Sequence, residues 1–155
     1  MKKVEVRTPL FDRLVDRDPF LRRELRPMRT LDRRGLKESV RRELEQLFNT
    51  RCPYPQHKLA GRPRTVIDYG IPDLSIFSAR SFDDRGRIAE ILRKAILDYE
   101  PRLSNPRVTV EQVPGEELGL MARIEAALIT DTVPEPVSFL TVLQLKEGEV
   151  SVHGD

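Results

Sequence analysis

Cys52 and His57 stand five residues apart in a proline-rich stretch. A thiol beside an imidazole is the pairing that makes an activated sulfur nucleophile, but such pairs form in space and need no fixed spacing. This pair therefore reads as an incidental thiol and an exposed histidine. Asp83-Asp84 and Glu116-Glu117 are adjacent acids. A glycosidase needs two carboxylates facing each other across a cleft, about 5–9.5 Å apart. Neighbours in sequence do not supply that, and both pairs sit where a helix start or a solvated turn is expected. No G-x-S-x-G, phosphate-binding loop, G-x-G-x-x-G or H-E-x-x-H occurs. One cysteine and two histidines, His57 and His153, are too few for a zinc cage. No catalytic, cofactor-binding or metal-ligating residue is assigned, and no cofactor is expected.

The chain has 155 residues, enough for one core of moderate size. Hydrophobic residues make up 39% and charged residues 34%; average domains have roughly 45–50% and 25%. No run of 18 apolar residues occurs, so no membrane insertion is expected. The start is basic but lacks an apolar continuation, so it does not read as a signal peptide. The single cysteine suits a reducing compartment. Net charge is +2, yet residues 1–64 carry 18 Lys and Arg against 9 Asp and Glu, while residues 65–155 carry 9 against 16. Arginine outnumbers lysine by 21 to 6, which suits forked pairing with carboxylates or phosphates. Arginines at 17, 22, 23, 26, 29, 33, 34, 41 and 42 make a basic nucleic-acid-binding domain one alternative. Against it, Phe20 is the only aromatic residue there and no nucleic-acid motif occurs.

Thr8-Pro9 followed by Leu10, Phe11, Leu14 and Val15 predicts a short capped helix. Residues 16–34, Arg-rich and broken by Pro19 and Pro27, read as an irregular basic arm. The expected division is thus 1–34, a short helix and arm, and 35–155, one domain. Leu36, Val40, Leu44, Leu47 and Phe48 form a helical stripe ending near Asn49-Thr50. Residues 51–64 read as loop, and 65–70 as one helical turn stopped by Gly70. Ser81 and Asp84 predict a capped helix start, and Ile88, Leu92, Ala95, Ile96 and Tyr99 continue that helix to Glu100. After Pro106 the period becomes two: a short strand at Val108 and Val110, a second over 120–128, a third over 137–145, and a short last strand at Val150 and Val152. Glu147-Gly148 reads as the turn before it. The fold class is therefore α+β, N-terminal helices packed on a small, mostly antiparallel sheet of three to four strands.

Glu100-Pro101-Arg102 follows the second long helix directly. On local grounds it is a helix stop with an ion pair between its flanking residues. Three segments taken together extend that reading: 39–51 with Asn49-Thr50-Arg51, 68–74 with Tyr69-Gly70 and Pro72-Asp73-Leu74, and 96–103 with Glu100-Pro101-Arg102. Their order and content resemble the TssE family, baseplate subunits of bacterial type VI secretion systems, related to the "lysozyme-like" wedge protein of contractile phage tails. The resemblance spans roughly residues 8–152 and carries nothing onto the basic arm.

That resemblance implies a fold like the handshake domain of sheath subunits and a cytoplasmic, non-enzymatic structural role. It implies docking on the wedge core through Glu100, Pro101 and Arg102, and initiation of sheath assembly. Implied partners are the wedge subunits TssF, TssG and TssK, the contractile sheath and the inner tube, with no small-molecule substrate and no nucleic acid. A strand meander with a free edge can accept a partner strand; Glu149, Val150, Ser151 and Val152 are the candidate sheath-facing edge strand. A peptidoglycan-cleaving enzyme, after the historic label, is the other alternative.

Overall fold

The computed structural model describes residues 6–14, 20, 30–59, 61–130, 133–145 and 150–154. In chain order the elements are β1 (Val6–Arg7), α1 (Leu10–Leu14), β2 (Thr30–Leu31), α2 (Arg33–Asn49), α3 (Gln56–Leu59), a 3-10 turn (Val66–Asp68), α4 (Phe82–Tyr99), β3 (Leu103–Gln112), β4 (Gly119–Leu128), β5 (Glu135–Gln144) and β6 (Ser151–Gly154). The strands β3-β4-β5-β6 form an antiparallel meander, and β1 pairs with β2. This is the α+β arrangement that the two periodicities predict.

Helix α2 begins at Arg33 because Asp32 caps it, its carboxylate accepting from the Gly35 N–H at 2.8 Å. Leu31 is buried in the core just before that cap. Residues 30–34 are thus strand, cap and helix, not arm; of the rest of 16–34, all but Phe20 lies outside the described residues. Ser81 caps α4, accepting from the Asp84 N–H at 3.2 Å. The Asp84 carboxylate accepts from the Ser78 N–H, so the capping is not reciprocal. The 51–64 stretch contains α3, a single turn that tucks Leu59 into a buried position.

The apolar stripes of α2 and α4 meet one face of the sheet, α4 over β3 and α2 over β6. From the sheet they meet Leu120, Ala122, Ile124, Val137, Phe139 and Leu143. Each fully buried leucine or phenylalanine contributes about 1.5–3 kcal/mol. The first long strand starts five residues before the predicted Val108. Asn105 takes a positive φ of 51°, and the register shifts between Ser104 and Arg107. This bulge admits Pro106, which has no N–H to donate, into a strand that resumes its ladder beyond it. Among the described residues no helix is long and apolar enough to cross a membrane.

Candidate functional site

The end of α4 is a tight turn with the motif folded into it. The Glu100 N–H closes the helix on the Ile96 carbonyl at 2.8 Å, and the Leu103 N–H returns to the Glu100 carbonyl at 3.1 Å. Pro101 is the second residue of that turn, where its fixed φ is favourable. Glu100 has φ −121° and ψ 77°, out of the helical region that a following proline disfavours. The turn brings the two charged side chains together. Arg102 Nε donates to Glu100 Oε1 at 2.6 Å and Nη2 to Oε2 at 2.5 Å, a bidentate fork.

The pair is buried. The Glu100 side chain is 4% exposed and that of Arg102 22%. Arg102 Nη1 continues to Ser39 Oγ at 2.9 Å, Ser39 Oγ donates to Asp12 Oδ2 at 2.7 Å, and Arg42 donates to Asp12 Oδ1 at 2.5 Å. One polar chain thus links the turn, α2 and α1. Burial opposes the charge of Arg102, but the Glu100 hydrogen bonds and the Glu100, Glu43 and Asp12 charges outweigh it and raise its pKa. A fork presented to a partner beyond the helix end is therefore not what the fold makes: Arg102 is turned back onto Glu100. The sequence offered both readings, because burial here depends on Ser39, 63 residues away.

The other two quoted segments bind each other. Gly70, at φ 107°, lies so close to α2 that a Cβ there would sit 2.2 Å from the Thr50 carbonyl oxygen. That approach lets the Ile71 N–H reach Thr50 O at 2.9 Å and the Cys52 N–H reach Ile71 O at 2.8 Å. Arg51 pairs with Asp73 at 3.1 Å. Tyr69 packs edge-on to Tyr99 at 5.1 Å, tying this latch to the end of α4. A short-range motif thus serves a long-range closure.

The last strand is an edge, as its position in the meander requires, but its outer side is occupied. It spans Ser151–Gly154; Val150 precedes it, and Glu149 lies outside the described residues. Asn49 holds both main-chain groups of Val150, its Oδ1 accepting from the N–H and its Nδ2 donating to the carbonyl, each at 2.7 Å. Arg41 donates to Val152 O at 2.8 Å, and the Val152 N–H donates to Glu45 Oε1 at 3.3 Å. Residues 41, 45 and 49 recur every about 6 Å along a helix, close to the about 6.8 Å between outward groups of a strand. Helix α2 therefore stands where a fifth strand would pair. At the opposite edge, the Val113 N–H bonds to Gly119 O at 2.9 Å. The antiparallel alternation then turns the N–H and C=O of Val108, Val110 and Gln112 away from β4. Among the described residues no hydrogen bond from another element reaches them.

A family profile described as baseplate wedge protein gp25 matches residues 34–133, which include α2, the latch, the Glu100–Arg102 turn and the first two long strands. The chain belongs to the gp25 baseplate wedge family. It is a structural baseplate component by that membership. The profile covers less than the 8–152 span of the resemblance, stopping before β5. Comparison with curated proteins gives no match. Among solved structures, a chain of "The baseplate complex from the type VI secretion system" aligns at 21% identity and a TM-score of 0.49, covering 71% of this chain and 98% of that one.

In this gp25-family chain the residues that first suggested chemistry are dispersed. Cys52 is buried and His57 lies on α3. Asp83 and Asp84 occupy the first turn of α4, where acids suit the helix dipole, and Glu117 pairs with Arg80 at the surface. Among the described residues no group of His, Cys, Asp and Glu could hold a metal. Several arginines of the basic region are committed to acids: Arg33 to Glu135, Arg41 to Glu38 and Glu45, and Arg42 to Asp12.

Proposed function

We propose that this gp25-family protein is a non-enzymatic, cytoplasmic wedge component of a type VI secretion baseplate that docks on the wedge core and receives the first sheath subunits. TssF, TssG and TssK are its wedge partners, and the inner tube lies alongside. Glu100, Pro101 and Arg102 serve docking as the buried frame of the contact surface, because the fork that joins them has little area left to offer a partner. The sheath strand pairs with β3, not with Glu149–Val152. The observation that carries this reading is the contrast between the two sheet edges: outward groups at Val150 and Val152 are already bonded, whereas those at Val108, Val110 and Gln112 meet no partner among the described residues.

The test is a proline at Val108, whose N–H points away from β4. It removes one donor from the outer edge and none from the internal ladder. Purified wedge complexes carrying Val108→Pro should form normally but fail to start sheath polymerisation, as counted by electron microscopy. Undiminished sheath assembly by the folded variant overturns the assignment of this edge. Val150→Pro is not an equivalent test, since it breaks the bond to Asn49.

A further inference from the structure

The β3 edge carries a pattern of side chains as well as open main-chain groups. Arg107, Thr109 and Glu111 alternate along the side of the strand turned away from the helices, and all three are exposed. Many arginines elsewhere meet acids, among them Arg33, Arg41, Arg42 and Arg62. Arg107 and Glu111 form no ion pair among the described residues, although Glu125 lies directly across the ladder from Arg107. On the helix side Val110 is buried and Val108 only partly so, leaving apolar surface at this margin. The Asn105 bulge and the missing N–H of Pro106 bound the usable edge at its start. The Val113 N–H, bonded to Gly119 O, bounds it at its end.

The order of these side chains is its own complement. When β3 pairs antiparallel with β3 of a second copy, a two-fold axis through Thr109 sets Arg107 opposite Glu111 at both ends. It sets Val108 opposite Val110 on the helix side and Thr109 opposite Thr109 at the centre. The phase of the ladder agrees. Val108 and Val110 both turn their N–H and C=O outward, so opposed to each other they exchange both main-chain bonds. Arg107 and Glu111 then fall in a non-hydrogen-bonded pair, where Cα atoms stand about 4.5 Å apart and side chains are closer. A slip of one residue turns every side chain to the wrong face. A slip of two sets Arg107 against Thr109 or Val113 and pairs no charges.

We infer that β3 is the contact of a symmetric dimer, in which two copies join their meanders through residues 107–111 and Arg107 of each pairs with Glu111 of the other. The pairing covers both open edges at once and is closed by its symmetry. The dimer stands on this geometry alone. Its consequence for assembly rests on the sheath-edge reading: the dimer occupies the groups that a sheath strand needs, so only the opened form can receive one.

The experiment is sedimentation equilibrium of the full chain over a range of concentrations, where the wild type should show a reversible dimer. Arg107→Glu and Glu111→Arg each create like-charge pairs at both ends of the contact, and each should weaken self-association about tenfold or more. Arg107→Glu with Glu111→Arg restores opposite charges and should return to within about threefold of wild type. An equimolar mixture of the two single variants should associate likewise. Arg107→Gln, which only removes the attraction, serves if a reversal fails to fold, and should weaken association about threefold. Val108→Pro removes an edge donor and should abolish the dimer. Arg123→Glu, one strand inward on the same face, is the control and should associate as wild type. A wild type that stays monomeric overturns the dimer, and loss of sheath initiation by Val108→Pro would then leave the edge to the sheath. A dimer untouched by Val108→Pro and by the single reversals lies on another surface and overturns it too. Weakening by the single reversals without rescue by the double variant overturns the antiparallel register. The expected dimer behaviour, with sheath assembly indifferent to Val108→Pro, supports the dimer and overturns the sheath-edge reading.

Discussion

Truncating Glu100 separates a structural fork from an exposed docking charge. In Glu100→Ala, Arg102 keeps only Ser39 as a side-chain partner and stays largely buried. Removing one member of a buried pair costs about 3–5 kcal/mol, because the remaining charge is left uncompensated. Arg102 is about one-fifth exposed and the Glu43 and Asp12 charges remain near it, so the low end of that range, about 3 kcal/mol, is expected. For a domain of this length each kcal/mol lowers the melting temperature by roughly 2–4 °C, so Glu100→Ala should melt about 6–12 °C below wild type by scanning calorimetry. Glu117→Ala is the reference: its partner Arg80 is 70% exposed and Glu117 itself 79%, and such pairs contribute roughly 0–1 kcal/mol. Glu100→Leu with Arg102→Met removes both charges and should regain most of the loss. If Glu100→Ala and Arg102→Ala both melt within about 1 °C of wild type, the fork is not a buried structural element. The reading of Glu100 and Arg102 as the buried frame of the contact surface then loses its ground.

Asn49→Ala removes both hydrogen bonds to Val150; with those main-chain groups partly buried, it should destabilise the chain by about 1–3 kcal/mol in urea unfolding and accelerate amide exchange at Val150, and unchanged exchange would count against the closed edge. Asp68 is held at a pKa of about 2, below its ordinary 3.8, first by the Arg62 hydrogen bonds and then by the Thr65 N–H. A depressed carboxylate pKa adds stability that is complete above the unfolded-state value and disappears as pH falls through the folded one. The wild type should therefore lose melting temperature between about pH 5 and pH 2 more steeply than Asp68→Asn, and parallel curves for the two would refute this.

Much of the architecture is legible in residue order because it follows from local periodicity. The stripe Leu36–Val40–Leu44–Leu47–Phe48 is helical in the structure and buried. The alternation over 120–128 is a strand with one face in the core. Pro101 ends α4 where its geometry says it must. What failed depends on partners distant in sequence. Thr30, Leu31 and Asp32 are masked by the arginines around them, and only pairing with β1 and the cap to Gly35 reveals strand and helix start. Leu103 and Ser104 precede a proline and read as loop until the Asn105 bulge is seen. At the candidate site, Glu100 and Arg102 could be named from sequence but their burial could not, since it is set by α2. Arg41, Glu45 and Asn49 carried a signal, a spacing of four on the polar side of a helix. That spacing ordinarily means a solvated face, and here the face meets a strand.

The filled β6 edge gives the sheet a direction. A meander with two open edges can lengthen either way, and copies of it can zip together indefinitely, the usual hazard of exposed strands. With Asn49, Glu45 and Arg41 standing in for a neighbour on one side, the main-chain groups left open to pairing among the described residues are those on the β3 side. Head-to-tail stacking of identical copies through their sheets is blocked, because every junction would need the side that α2 has sealed. In shape the described sheet is therefore an end piece, with one edge open to a further strand and the other closed by a helix.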